Sequence, residues 1–308
     1  MRILFFGTSA FAVPILERLV ERGHAVVGCV TQPDRPQGRG LKLKPSPVKA
    51  AATARGLRID EPERLCEAMP GWRALDAELG VVVAYGRILP ADLLALPPHG
   101  MLGVHPSMLP KYRGANPMGA AILGGETATG VTIFRLNASM DAGEIALQRE
   151  VPIEPNDTTE ALSTRLADLG AELLVDAVDR LAAGRLTLTA QDDSQATFSS
   201  KISKADGRIE WGRPAAAIHR LVRAATPWPG AWTTWRGEIL KVWDAQPAPS
   251  TTSAAAGAVI SAGADGLTVA TGQGALVIRE LQIAGGRRVS SKEFLAGHRM
   301  NAGDALGG

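Results

Sequence analysis

The chain is poor in cysteine: 308 residues contain two, Cys29 and Cys66, which form neither a CxxC pair nor a set of metal ligands. A disulfide framework and a thiolate metal centre are therefore excluded, no metal is expected, and a reducing cytoplasm is the expected compartment. No uncharged apolar run reaches the length of a membrane span. The N-terminus MRILFFGTSAF lacks the length and cleavage site of a signal peptide and reads as a first β-strand. Familiar catalytic signatures are missing too. GTSAFAV after the first apolar run is not GxGxxG, GRGLKLK has no GK[ST] ending, and neither HExxH nor GxSxG occurs. Dinucleotide hydride transfer, NTP hydrolysis and metallohydrolysis lose their usual supports.

What is present is ordinary for a globular protein: 45 % apolar and 21 % charged residues. The length suggests two domains, each able to bury a core without staples. Net charge is +2 but unevenly placed. Residues 1–200 carry 20 Lys+Arg against 23 Asp+Glu, and residues 201–308 carry 13 against 8. Within 32–49, Arg35, Arg39, Lys42, Lys44 and Lys49 face Asp34 alone. Two basic regions flanking an acidic body fit a polyanionic partner, or simply a solvated surface.

Apolar runs predict strands at 2–7, 25–31, 57–60, 79–84, 101–104 and 131–136. Helical spacing predicts helices at 9–22, 47–54 and 157–183. The longest starts at a capping-box-like Asp157/Glu160 and ends before Gly184. Residues 32–47 (QPDRPQGRGLKLKPSP) read as a loop. This alternation implies a mostly parallel sheet covered on both faces, with ligands at the carboxyl ends of its strands. Residues 186–200 are polar and irregular, a linker pattern. Beyond them a helix at 215–224 precedes short strands at 231–235, 239–243, 258–260, 267–270 and 275–281, the spacing of a small barrel or sandwich.

Three segments fall where such a sheet places its site: Tyr85–Pro90 (YGRILP), 103–114 (GVHPSMLPKYRG) and 140–144 (MDAGE). His105 follows a strand, and the proline after it holds it extended. A histidine fixed there can move protons near neutral pH, and Asp141 can fix its tautomer and favour its charged form. The same residues also fit a capped loop histidine and an Asx-turn aspartate. His24, His99, His219 and His298 lack such settings and read as surface or turn residues.

HPSMLPKYRGANP followed by TGVTIFRLNASMDAGEI resembles the formyltransferase family that uses 10-formyltetrahydrofolate. TQPDRPQGRGLKLKPSPVK, FSSKISKADGRIEW, ATPWPGAW and LQIAGGRRVSSKEFLAGHRM resemble segments of its branch acting on methionyl initiator tRNA. The resemblance spans nearly the whole chain. It implies an α/β, Rossmann-like, doubly wound catalytic domain (1–188), a linker (189–206) and an OB-like β-barrel domain that binds tRNA (207–308). The implied reaction is formyl transfer from 10-formyltetrahydrofolate to the methionyl α-amine, by a cytoplasmic, monomeric enzyme of translation initiation without a metal or a membrane partner.

By resemblance, His105 and Asp141 are catalytic, and Gly103 occupies the position of the family's catalytic Asn. Glycine has no amide to offer the oxyanion. Loss of such a donor typically costs about 10²–10³ in rate, part of which a water at Gly103 would recover. Tyr85, Gly86, Arg87, Ile88, Leu89, Pro90, Ser107, Leu109, Pro110 and Met140 are the implied folate contacts, although Ile88 and Leu89 also read as ordinary core. Arg35, Arg39, Lys42, Lys44, Lys201, Lys204, Arg287 and Arg288 are the implied tRNA contacts. Trp211, Trp228, Trp232 and Trp235 read as packing residues or base-stacking platforms. A sugar-nucleotide formyltransferase, a formyl-folate hydrolase and a non-catalytic folate- or tRNA-binding protein remain as alternatives.

Overall fold

Residues 1–37, 42–263 and 266–307 are described by a computed structural model, in which the chain forms two units. The first comprises 1–117, 128–152 and 163–199; the second comprises 118–127, 153–162 and 200–308. Up to Ser199, the polar stretch that begins at 189 therefore belongs to the first unit.

Strands in the first unit are β1 (Arg2–Gly7), β2 (Ala25–Val30), β3 (Arg35–Gln37), β4 (Lys42–Lys44), β5 (Ile59–Asp60), β6 (Leu79–Val83), β7 (Met101–His105), β8 (Arg113–Gly114), β9 (Ala128–Arg135), β10 (Ile145–Pro152) and β11 (Phe198–Ser199). Along the chain the helices are α1 (Val13–Glu21), α2 (Pro47–Ala54), α3 (Leu65–Arg73), α4 (Ala91–Leu94), α5 (Pro117–Gly124), α6 (Thr159–Ala182), α7 (Ala215–Ala224) and α8 (Ser291–Gly297). Seven strands make one sheet in the order β10-β9-β7-β6-β1-β2-β5. From β5 to β7 every pairing is parallel, and β9 and β10 add an antiparallel margin. This is the expected doubly wound sheet. β1, the middle of the five parallel strands, is buried from Ile3 to Phe6, as a strand covered on both faces must be.

α6 crosses the sheet beside β7. At Gly170 an added Cβ would stand 3.0 Å from Val104 Cγ1 and 3.5 Å from Ile15 Cδ1, so the helix approaches closely behind His105. α6 is capped by Thr158, whose Oγ1 accepts the Ala161 N–H at 3.1 Å. The Asp157 carboxylate accepts the Glu154 N–H at 2.8 Å. Within the stretch read as a loop, two short strands form: Arg35, Pro36 and Gln37 pair with Lys44, Leu43 and Lys42.

In the second unit, β12 (Ala231–Trp235), β13 (Glu238–Ala248), β14 (Val259–Gly263), β15 (Gly266–Ala270), β16 (Ala275–Ile283) and β17 (Val289–Ser290) form an antiparallel sheet. Its ladder runs β12-β13-β16-β15-β14, with β17 beside β16. α7 buries Ile218 and Val222 in the core built by these strands with Trp211 and Trp235. α8 starts at a capping box formed by Ser290 and Glu293.

Candidate active site

β7 ends at His105, which is 6 % exposed. His105 Nε2 lies 2.9 Å from the Tyr112 carbonyl oxygen. A carbonyl only accepts, so Nε2 carries the proton and Nδ1 keeps its lone pair. Nδ1 stands 3.6 Å from Asp141 Oδ2, too far for a hydrogen bond. That same Oδ2 accepts the Gly114 N–H at 2.8 Å. Burial pushes the imidazole below its ordinary value; the Asp141 carboxylate and the Tyr112 carbonyl oppose this without cancelling it. The sequence suggested that Asp141 would keep the ring charged. Desolvation outweighs that attraction, so burial favours the neutral ring.

Asp141 has a φ of 50°, in the left-handed region where a non-glycine residue needs support. Gln191 supplies it: its amide donates to the carbonyls of Asp141 at 2.8 Å and Gly143 at 2.7 Å. Gly143 is required here, because a Cβ would collide with the Arg135 carbonyl. The segment before Asp141 leaves Met140 62 % exposed.

Gly103 sits two residues before His105 and faces Phe134 across the β7–β9 ladder. An added Cβ would stand 2.6 Å from both Phe134 Cε1 and Leu136 Cδ1. The space expected to hold a water is filled by these two side chains.

The loop 106–110 is fixed from below. Ser107 is fully buried and donates to the Lys111 carbonyl at 2.6 Å. Thr132 Oγ1 donates to the Ser107 carbonyl and accepts from the Leu109 N–H and the Gln148 amide. That amide also reaches the Leu109 carbonyl at 2.7 Å, and the Pro110 carbonyl accepts from the Thr197 N–H. Ser107 and Leu109 therefore offer a shaped backbone rather than free side chains.

In the loop after β6, Tyr85 is buried edge-on against Phe6, and its carbonyl accepts from Thr8 and Gln32. Gly86 has a φ of 79°, and its Cβ position lies 2.7 Å from the Gln32 amide nitrogen. Arg87 donates to the carbonyls of Pro62 and Glu63, which anchors the loop. Leu89 joins the core and Pro90 caps α4, whereas Ile88 is 85 % exposed. Ile88 and Met140 are thus the large apolar side chains that these loops leave in solvent.

Among the basic residues, Arg35 and Lys44 are exposed on the β3–β4 hairpin, Lys42 pairs with Gln37 in it, and Arg39 lies outside the described residues. Lys49 is occupied by Asp34 and Glu61, each at 2.7 Å. In the second unit Lys201 and Lys204 are exposed, Arg287 pairs with Glu293, and Arg288 pairs with Glu280 and lies over Trp243. Trp211 and Trp235 are core; Trp232 is half-buried and bonded to the Lys204 carbonyl; Trp228 is 51 % exposed. Of the histidines read as surface or turn residues, His24 has a side chain 8 % exposed beside Asp179, and His219 is half-buried among arginines. Sequence reasoning missed Tyr112, Thr132, Gln148 and Gln191, whose roles depend on partners distant in the chain. Among the described residues no group of three or more His, Cys, Asp or Glu side chains is placed to hold a metal ion. No described helix is long and apolar enough to cross a membrane.

A doubly wound sheet with a buried histidine at a strand end beside an aspartate, followed by an antiparallel β unit, defines a class. Residues 1–178 match the formyl transferase family and residues 201–299 match its C-terminal domain. The chain belongs to the formyltransferase family. Several relatives that match along nearly the whole chain are named methionyl-tRNA formyltransferase. That of Solibacter usitatus is 46 % identical, covering 100 % of this chain and 99 % of its own. That of Chloroflexus aggregans is 48 % identical, covering 96 % and 97 %. Among solved structures, HypX from Aquifex aeolicus in complex with tetrahydrofolic acid shares the fold, with a TM-score of 0.68 at 18 % identity. It covers 96 % of this chain, which spans 47 % of that protein. A Helicobacter canadensis N-formyltransferase, with folinic acid and dTDP-3-aminofucose, gives 0.67 at 18 % identity and covers 90 % of this chain and 98 % of its own.

Proposed function

We propose that this protein transfers a formyl group from N10 of 10-formyltetrahydrofolate to the α-amino group of methionyl initiator tRNA, as a monomer in the cytoplasm, for translation initiation. The observation that carries this reading is His105: buried, favoured in its neutral form, its tautomer fixed by Tyr112, with Nδ1 open beside Asp141. The full-length relatives of that name support the choice of acceptor.

The folate supplies the formyl carbon and the C–N10 bond that breaks. As the neutral amine attacks that carbon, its nitrogen must lose a proton. His105 Nδ1 accepts it, and the resulting imidazolium lies between the Asp141 carboxylate and the oxyanion, stabilising both. The same proton then passes to the departing N10. Asp141 Oδ2 stays held by the Gly114 N–H. Exposed Ile88 and Met140 fit the flat faces of a pterin, and the tied backbone of 107–110 fits its polar edge. In this reading residues 1–188 carry the chemistry, and Arg35, Arg39, Lys42 and Lys44, with Lys201, Lys204, Arg287 and Arg288 beyond the linker, meet tRNA phosphates.

The test is to supply purified protein with 10-formyltetrahydrofolate and initiator tRNA charged with labelled methionine, then to measure formylmethionyl-tRNA. Formyl transfer to an amino sugar nucleotide or to water, with none to tRNA, would overturn the reading.

A further inference from the structure

Tyr112, Arg113 and Gly114 are consecutive, and each holds a different part of the candidate site. The Tyr112 carbonyl fixes His105, and the Gly114 N–H fixes the Asp141 carboxylate. Between them Arg113, 5 % exposed, reaches Gln191: Nε and Nη2 donate to its Oε1 at 3.2 and 2.7 Å. Arg113 Nη2 also donates to Asp193 at 2.6 Å. The other end of the Gln191 amide holds the Asp141 and Gly143 carbonyls. One planar amide thus uses its oxygen on one side of the His–Asp pair and both N–H groups on the other. The left-handed Asp141 backbone needs such restraint, because nothing intrinsic to an aspartate keeps it there. The segment bearing Gln191 is itself pinned. β11 pairs with β8, Tyr112 N–H donates to Thr197 Oγ1 at 2.8 Å, and Ala115 N–H donates to the Ser199 carbonyl.

We propose that Gln191 is a positioning residue: it sets the distance between the Asp141 carboxylate and the His105 imidazole by bridging the Asp141 turn to Arg113. The polar stretch that reads as a linker is, in this respect, part of the catalytic unit. The inference rests on the proposed transferase reading for its kinetic consequence, but not for its effect on His105.

Two neutral variants remove the bridge without adding a charge beside His105. Gln191→Met keeps the length and removes every hydrogen bond; Gln191→Leu removes them with a shorter side chain. Asp141 raises the His105 pKa, so releasing the Asp141 turn should lower it further. NMR titration of the assigned His105 ring should show a displacement to lower pH in both variants relative to the unmodified protein. In formyl transfer kcat should fall by about 10- to 100-fold, since a displaced catalytic group costs about that much, while KM for tRNA changes little. Should one variant fail to fold, the other still reports. If His105 titrates unchanged in the folded variants, the proposal is overturned, whatever happens to activity. If it shifts while even the unmodified protein transfers no formyl group, the positioning role stands and the transferase reading fails.

Discussion

Phe134 is the cross-strand partner of Gly103, and its ring fills the space in which a side chain at residue 103 would begin. The ring also meets His105 edge-on, with centroids 6.4 Å apart. The glycine and the aromatic form one packed unit, as an aromatic over a strand glycine does elsewhere.

Gly103→Asn alone should therefore not restore an oxyanion donor. The added side chain overpacks against Phe134 and Leu136, which typically costs about 1–3 kcal/mol. A lower Tm and no gain in kcat are expected. Combining it with Phe134→Ala makes room for the amide, and the double variant should exceed Gly103→Asn in kcat while its Tm stays low, because truncating a buried Phe costs about 3–5 kcal/mol. A single variant that gains about 10²-fold in kcat without loss of Tm would refute the packing argument.

His105 and Asp141 should behave as one unit, because Nδ1 and Oδ2 are 3.6 Å apart and the charge on one depends on the other. Each alanine variant should lose most of its formyl transfer, and the double variant little more. Multiplicative losses in kcat would show independent roles.

Arg39→Ala with Lys42→Ala should raise KM for tRNA and reduce the salt dependence of binding, with the log–log slope shallower by up to about 2. Lys49→Ala should behave differently. Its ammonium already neutralises Asp34 and Glu61, so its loss leaves two carboxylates facing each other and should lower Tm with little change in the slope. Identical slopes for the double variant and the unmodified protein would remove the hairpin from the tRNA interface.

His219 is pushed down to about 4 by burial and by Arg223 and Arg220. Below pH 6.5 the unfolded chain takes up a proton there that the folded chain refuses. Stability is thus full above 6.5 and falls as pH drops toward about 4. His219→Gln should flatten that part of the Tm–pH curve; an unaltered curve between pH 6.5 and 4 would contradict the assignment.

Several elements were legible because their signals are local. β1 at 2–7, α2 at 47–54, α7 at 215–224 and β12 at 231–235 lie where apolar period and Gly/Pro punctuation place them. α3, with Pro70 inside it, and α8, only seven residues long, gave weak periodic signals. β10 (IALQREVP) is a half-exposed margin strand with little apolar alternation, and it takes its place only by pairing with β9.

The sequence by itself determined the doubly wound sheet, the strand-end setting of His105, the turn bearing Asp141 and the absence of an amide at 103, because these depend on residue type and near neighbours. Only the tertiary structure decided what surrounds them: Phe134 over Gly103, the burial that favours the neutral imidazole, and Gln191 bonded to residues that lie 78, 50 and 48 positions away along the chain. Desolvation and hydrogen-bond closure are properties of the packed volume. No local pattern encodes them, since each arises only when distant segments exclude water from the same place.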